Sequence, residues 1–466
     1  MYAILNEDIA LRSWQMIPRA YIVKGSSSPS KLDRNEFEVL RMADGKTDIP
    51  ESKILRYFLD SGFVVECEEG EHTLSDWQQY RHYDNRLIAT MNLQVTGRCN
   101  YNCKHCFNAM DNHALQSHLT LEQVIDLLDQ AVECGIMGFT ITGGEPMVHK
   151  NIREIISAIY ERNMFIFDFN TNGYYITQDF LDFLKPLGTP PLMKISFDGI
   201  GYHDEMRCFK GAEESALKAF ELCIENGFPT LAQVNVNYNN LDTIPATLDL
   251  LDSMGVKTIR LIRTTEVPRW LKNGGQCLEI KDYYDRMLDV LSEYISKPRR
   301  SNIIVWQLLE LSPHSRTYSV DAVKNIRMSQ PICKGTRGMI AIGANGNIYP
   351  CLQVSGVFDD TGETLGNIFD TPLKEMLQTE SKYMKYICTS VEEKATINGK
   401  CIKCKYLKYC GTGCPAMSLT KTYAENGTFC YTAPDTWKCY FLENGYYEKV
   451  QESMKGYQCT SPILEV

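Results

Sequence analysis

Between residue 88 and about residue 295, short apolar runs alternate with longer stretches in which apolar residues return every three or four positions. The runs "LIATMNLQV", "GFTIT", "MFIFDFN", "LMKISF", "TLAQVNV" and "VKTIRLI" are too short for helices and rich in β-branched and aromatic residues, which predicts strands. Between and after them, "LTLEQVIDLLDQAVECG", "NIREIISAIYERN", "TQDFLDFLKPLG", "GAEESALKAFELCIENG", "LDTIPATLDLLDSMG" and "KDYYDRMLDVLSEYI" carry the period of amphipathic helices. Six strand–helix units in alternation predict an α/β fold with a parallel sheet covered by helices. Six units rather than eight favour an incomplete barrel, a partial (β/α)6 arrangement. In such folds functional side chains collect at the C-terminal ends of the strands.

The flanks read differently. In residues 1–85, "RAYIVKG", "EFEVLRMADG" and "ILRYFLDSGFVVEC" predict strand, helix and helix–turn–strand, which suits a small winged-helix-like module. From about residue 330 glycine, cysteine and tyrosine rise and the periodicity fades, until "TWKCYFLENGYYEKVQESM" predicts one closing helix. So long a loop-rich segment is expected to be held by something other than an apolar core. The expected organisation is 1–85 module, 86–300 barrel, 301–330 linking or bridging region, and 331–466 cysteine-rich domain.

Composition narrows the function. A formal net charge of −10 argues against nucleic acid, whose phosphates call for a basic face. No run of apolar residues is long enough for a transmembrane helix. The start "MYAILNEDIALRSW" has acids close behind it and no basic stretch before an apolar core, unlike a signal peptide. A cytoplasmic protein is expected. In that compartment 18 cysteines are poor candidates for disulfides, and twelve of them crowd into 99–106 and 333–439, which points to metal or thiolate chemistry.

Three of those cysteines, Cys99, Cys103 and Cys106 in "GRCNYNCKHCF", directly follow the first predicted barrel strand. Thiolates are soft anionic donors suited to iron–sulfur clusters. Three ligands on a four-iron cubane leave one iron open to a substrate or cofactor. A zinc knuckle with a distant fourth ligand is the competing use of the same residues.

The Cx3Cx2C spacing of Cys99, Cys103 and Cys106, placed after the first strand of a partial barrel, resembles the signature of the radical SAM enzymes. The resemblance implies a 4Fe–4S cluster whose open iron is chelated by S-adenosylmethionine (SAM). Reductive cleavage of SAM then yields a 5′-deoxyadenosyl radical that abstracts a hydrogen atom. His105 stands where that family usually has an aromatic residue. "TGGEP" resembles the family's GGEP, so that Thr142, Gly143, Gly144 and Glu145 would lie at the SAM amino group. Asn170 and Asn172 in "NTNG", Ser196 and Asp198 in "SFDG", and Asn235 in "QVNVN" end the third, fourth and fifth strands, where the family sets polar groups near the ribose and methionine of SAM. Arg207 matches an arginine that can meet the SAM carboxylate. For each asparagine a loop cap is the competing explanation.

The cysteines of the last third are similar to the SPASM domain, which carries auxiliary iron–sulfur clusters in a subset of radical SAM enzymes. The string comprises Cys333, Gly346 four residues before Cys351, and "CIKCKYLKYCGTGC" with Cys401, Cys404, Cys410 and Cys414, followed by Cys430 and Cys439. By that resemblance Cys333, Cys351 and Cys414 would hold an inner cluster. Cys401, Cys404 and Cys410 with one later cysteine, Cys439 in preference to Cys430, would hold an outer one. No second cysteine closely follows Cys333, so the inner cluster either has an open iron or is closed by Cys388 or Cys430.

SPASM enzymes mostly modify peptides or proteins. Sulfatase maturases have an aspartate directly after the second SPASM cysteine, where this chain has Leu352. Peptide maturases often carry an N-terminal winged-helix element that takes a leader peptide as an extra strand, a role residues 1–85 suit. The resemblance therefore implies a radical SAM oxidoreductase that puts an oxidative cross-link, thioether or carbon–carbon, into a ribosomally made precursor peptide. Its partners would be that precursor and an electron donor such as flavodoxin or ferredoxin, with no nucleic acid and no membrane. A peptide epimerase, a sulfatase-maturase-like enzyme and a zinc-binding interaction protein are the alternatives.

Overall fold

The computed structural model describes residues 1–107, 117–333 and 338–465. Near the N-terminus, β1 (Ala3–Leu5), β2 (Ile9–Trp14), β3 (Ile17–Val23) and β4 (Ser30–Lys31) precede α1 (Arg34–Met42), α2 (Lys53–Asp60), β5 (Val64–Glu66) and β6 (Arg81–Tyr83). β1 pairs with β5, and the other four form a sheet in the order β4-β3-β2-β6. Asp33 and Glu36 make a reciprocal capping box at the start of α1, and Ser52 caps α2, so both helices begin where side chains satisfy free backbone N–H groups. Phe37, Leu40, Leu55 and Phe58 then face Leu5, Leu11 and Val64 in a core of their own. Trp14 stacks on Tyr83 with ring centroids 5.4 Å apart. Both pack with Ala89 and Met137, just before the first two barrel strands, so the module seats at the strands' N-terminal ends.

β7 (Thr90–Gln94), β8 (Gly138–Thr142), β9 (Phe165–Thr171), β10 (Leu192–Ser196), β11 (Thr230–Val236) and β12 (Thr258–Arg263) are consecutive parallel neighbours. Their helices are α3 (Leu121–Glu133), α4 (Ile152–Glu161), α5 (Gln178–Leu184), α6 (His203–Arg207), α7 (Ala212–Glu225), α8 (Ile244–Met254), α9 (Pro268–Lys272) and α10 (Ile280–Ile295). Val124, Leu127, Leu128 and Ala131 of α3 and Ile155, Ile156 and Ile159 of α4 are fully covered. Each such aliphatic side chain is worth about 1.5–3 kcal/mol of burial. Residues 301–330 link the regions through strands: β13 (Asn302–Val305) runs parallel to β12, and β14 (Leu309–Ser312) and β15 (Thr317–Val320) follow antiparallel.

The C-terminal third returns to the same sheet from both sides. β16 (Met339–Ile342) lies parallel to β7 and carries β17 (Ile348–Tyr349), while β18 (Gln458–Cys459) joins β15. The resulting twelve-stranded sheet runs from β17 to β18, and among the described residues no pairing joins these edges. The barrel is therefore partial, as the unit count predicts. Two expectations need correction. The closing segment is two helices, Thr436–Glu443 and Tyr446–Ser453, because Gly445 adopts a left-handed φ of 68° that ends the first. The region beyond residue 330 also has an apolar core: Tyr383, Ile387, Trp437, Phe441 and Val450 are buried in continuity with the barrel interior. Short helices with irregular spacing hide that from a periodicity reading. Among the described residues no helix is long and apolar enough to cross a membrane.

Candidate active site

All the strand-end residues singled out by the sequence lie at the C-terminal end of the parallel sheet. The chain leaving β7 is stitched to the loop after β8: the Gly144 N–H donates to the Thr96 carbonyl at 2.6 Å and the Glu145 N–H to the Arg98 carbonyl at 2.9 Å. A Cβ on Gly144 would stand 2.3 Å from the Arg98 oxygen, so glycine is required by close approach of the two backbones. The loop that follows exposes Cys99, buries Cys103 and half-buries Cys106. From the other side α6 holds it, through the Lys104 N–H on the Met206 carbonyl at 2.9 Å and a Lys104–Glu205 ion pair at 2.7 Å.

Cys103 sits under opposing influences. Burial raises its thiol pKa to about 11, the Arg207 guanidinium pulls it down, and neighbouring Cys106 raises it again. Arg207 Nη1 points at the Cys103 sulfur from 3.7 Å. Its Nε and Nη2 are held by Asp198, at 2.7 Å and 3.0 Å. Asp198 has no exposed surface; burial would raise its pKa, but the Arg207 guanidinium and the hydrogen bond with His203 outweigh that and hold it well below the usual carboxylate range. Arg207 thus bridges Asp198 and Cys103. Asn235 joins the same group, its backbone N–H on Asp198 at 3.2 Å and its side-chain amide 2.9 Å from His105 Nε2. Burial lowers His105 to a pKa of about 3, so this imidazole is neutral.

Glu145 is a second buried acid. It accepts the Thr171 hydroxyl at 3.0 Å, the Asn172 N–H at 2.8 Å and the Met147 N–H at 3.2 Å. Burial nevertheless pushes its pKa up to about 7. Its carboxylate fastens the end of β9 to the loop after β8. Asn172 reaches on to Asn100 Oδ1 at 2.8 Å, inside the cysteine loop. Thr142 and Ser196 close β8 and β10 at the same level. Thr171, Asn100 and His203 belong to this network although the sequence reading singles out only their neighbours; a strand's last residue and a residue inside a loop carry no periodic signal.

Asn170 Oδ1, Asn100 Nδ2 and His105 Nδ1 are buried without a partner. Such atoms cluster where a polar ligand completes them. An amine- and carboxylate-bearing nucleoside beside three thiolates fits that donor set, so the residues present suit a 4Fe–4S cluster with SAM.

Seven of the remaining cysteines gather in two places. Burial raises Cys351 to about 11 and Cys414 to about 12, with Cys333 adding to both and Cys351 also to Cys414, so these three share one neighbourhood. Cys410, raised to about 12, feels burial first and then Lys438, Cys439 and Cys401, while Cys401 feels Cys404. Cys439 is in that second group. The Cys430 sulfur faces Thr432 Oγ1 at 3.6 Å, which with neighbouring backbone N–H groups and Lys394 lowers its pKa. A bridge between Pro331 and Ser390 brings Cys388 alongside Cys333, and Arg86 Nη1 donates to the Cys388 sulfur at 3.1 Å. Among the described residues no three acidic, thiol or imidazole side chains converge as the ligands of one ion do. A four-iron cluster spreads its ligands over its corners, further apart than donors around a single ion. Lys394, Lys438 and Asp435 are buried between the two groups, and the cysteine spacing gives no sign of them.

Residues 93–251 match the Radical SAM superfamily, and residues 333–405 match SPASM, an iron-sulfur cluster-binding domain. The AdoMet-dependent heme synthase of Methanosarcina barkeri is 24% identical over 368 residues, covering 75% of this chain and 97% of that protein. The PqqA peptide cyclase of Granulibacter bethesdensis is 27% identical over 35% of this chain and 43% of that one. In structure, Streptococcus suis SuiB bound to precursor peptide SuiA superposes with a TM-score of 0.62 at 16% identity, over 89% of this chain and 96% of SuiB. At that identity the likeness carries the fold. Residues 93–251 thus carry a Radical SAM domain and residues 333–405 a SPASM domain, and these domains imply SAM and 4Fe–4S clusters.

Proposed function

We propose that this protein matures a ribosomally made precursor peptide by installing an oxidative cross-link. One observation carries the reading. The SuiB fold covers 89% of the chain, so the unmatched residues are fewer than the 85 of the N-terminal module, and at least part of that module has a counterpart in a protein solved with its precursor peptide. The relative named as a PqqA peptide cyclase supports the same class of substrate. In the module's sheet only Ala20 and Tyr21 of β3 have a ladder partner in β4, which leaves backbone groups for a leader to pair with as an added strand. The module seats at the N-terminal ends of strands five to seven residues long, so a leader docked there spans roughly 20 Å to the mouth, about six extended residues.

Cys99, Cys103 and Cys106 would hold the cluster that binds SAM, and the unpartnered atoms of Asn170, Asn100 and His105 would meet SAM itself. Bound together, those groups supply hydrogen-atom abstraction from an unactivated carbon. The chain's own residues fix where this happens. Glu145 locks the β8 and β9 ends to one another, Asp198 holds Arg207 beside Cys103, and the neutral His105 is kept in place by Asn235. Cys333, Cys351 and Cys414, and Cys401, Cys404, Cys410 and Cys439, would hold the auxiliary clusters that take up the electron left when the cross-link closes.

The test is mass spectrometry of a short peptide encoded beside the gene, incubated with reconstituted enzyme, SAM and reductant in ordinary and in heavy water. Loss of two hydrogens, with fragmentation blocked between two residues, is expected. An unchanged mass in ordinary water with deuterium gained at one carbon would replace cross-linking by epimerisation. The near-complete alignment with a heme synthase favours a second reading, haem formation; the same preparation offered an iron porphyrin and followed by absorbance decides it.

A further inference from the structure

Lys394, in the helix Val391–Ile397, has 0% of its surface exposed. Its ammonium has one hydrogen-bond partner, Ser418 Oγ at 3.5 Å, the outer limit for such a bond. Among the described residues no carboxylate lies within ion-pair distance of it. Its charged surroundings include Asp435 and the sulfurs of Cys414, Cys401, Cys410 and Cys430. Asp435 is the foremost of these, and its oxygens also accept the N–H groups of Cys414 at 2.9 Å, Trp437 at 3.0 Å and Lys438 at 3.3 Å, which favour its ionised form without bringing it into ion-pair contact with Lys394. Nearby Lys438 is in a different position. It faces Cys410 and Cys414 as well, but donates to the Asp321 carbonyl at 2.9 Å and pairs with the Asp321 carboxylate at 3.5 Å.

An ammonium withdrawn from water costs several kcal/mol unless something negative compensates it. For Lys394 the compensating charge is that of Asp435 together with the two cysteine groups: Ser418, its hydrogen-bond partner, donates to the Cys414 carbonyl at 3.2 Å, and Cys401 packs with Val391 and Ala395 of the helix that carries Lys394. Cys414 belongs to the inner group, and Cys401 and Cys410 to the outer. A four-iron cluster held by thiolates carries net negative charge, and one-electron reduction adds to it. A fixed cation in a medium of low polarity therefore favours the reduced form.

We propose that Lys394 is the shared counter-charge of the two auxiliary iron–sulfur clusters and raises the reduction potential of both. It is a positioning residue for charge and touches no substrate. The inference rests on the cysteine groups holding clusters, as the SPASM domain implies. The bland alternative is that Lys394 only fills space beside Val391, Ala395, Cys401 and Leu407, which pack together around it.

The test is an anaerobic redox titration of the full, reconstituted chain, each cluster followed by its own EPR signal, in wild type, Lys394→Met, Lys394→Arg and Lys438→Met. Methionine keeps length and apolar volume without the charge. Expected in Lys394→Met are more negative potentials for both auxiliary clusters, with the SAM cluster unmoved and the iron content unchanged. Lys394→Arg restores wild-type values, and Lys438→Met shifts them less, because Asp321 already offsets that charge. Unchanged auxiliary potentials in a fully loaded Lys394→Met protein overturn the proposal, and a shift in only one cluster overturns the sharing. If Lys394→Met fails to retain auxiliary iron, Lys394→Arg decides: iron kept at wild-type potentials supports the charge, and iron lost again favours packing. Wild-type protein containing zinc, or iron for a single cluster, would instead sink the cluster assignment on which the inference rests.

Discussion

Asp198 shows how one buried residue organises the site. It holds Arg207 through two contacts and accepts from Asn235, all out of water. Asp198→Asn leaves the guanidinium uncompensated, and urea unfolding is expected to report a loss of about 3–5 kcal/mol. Gly144 makes the complementary point about space. In Gly144→Ala the new methyl meets the Arg98 carbonyl at 2.3 Å, so the loop leading to Cys99 has to move. SAM cleavage is expected to fall at least tenfold while the iron of the auxiliary groups stays, which separate cleavage and iron assays read. The motif TGGEP is fully visible in the sequence, but its physical meaning is not. Its glycines admit a neighbouring backbone, and its glutamate ties two loops together.

At the scale of elements, the strands of 138–142 and 230–236 fall where their apolar runs predict. A parallel strand covered by helices is apolar on both faces and stands out from its surroundings. β13, β14 and β15 do not stand out, since each is four residues long with alternating burial and gains meaning only by extending the edge of β12. What anchors that extension is Asp252 near the end of α8. It accepts the Tyr294 hydroxyl at 2.9 Å and the N–H groups of Arg300 at 2.9 Å and Ser301 at 2.8 Å, just before β13. Asp252→Ala is expected to lower stability by about 2–4 kcal/mol, with hydrogen exchange rising first in β13 and β14.

For the whole molecule the decisive feature is that distant stretches share one sheet and one set of thiols. Cys439 joins Cys401, Cys404 and Cys410 because the helix Thr436–Glu443 packs its Trp437 on Tyr283 and Tyr284 of α10. Cys439→Ser is therefore expected to remove the same EPR signal as Cys401→Ser, and about one cluster of iron, whereas Cys430→Ser leaves both. Loss of iron in Cys430→Ser with none in Cys439→Ser would reverse that membership.

The sequence alone determined the six strand–helix units, the partial barrel, and the cysteine spacings with their radical SAM and SPASM resemblance. Those depend on local periodicity and on short fixed intervals, which a chain carries wherever it folds. Tertiary structure decided the rest: Arg207 on Asp198 and Cys103, Cys439 close to Cys410, the return of the last third to both edges of the sheet, and a buried lysine near both sulfur groups. Each of these is a contact between residues far apart in the chain, settled by which charges and apolar faces had to leave water together, and no interval along the sequence records that.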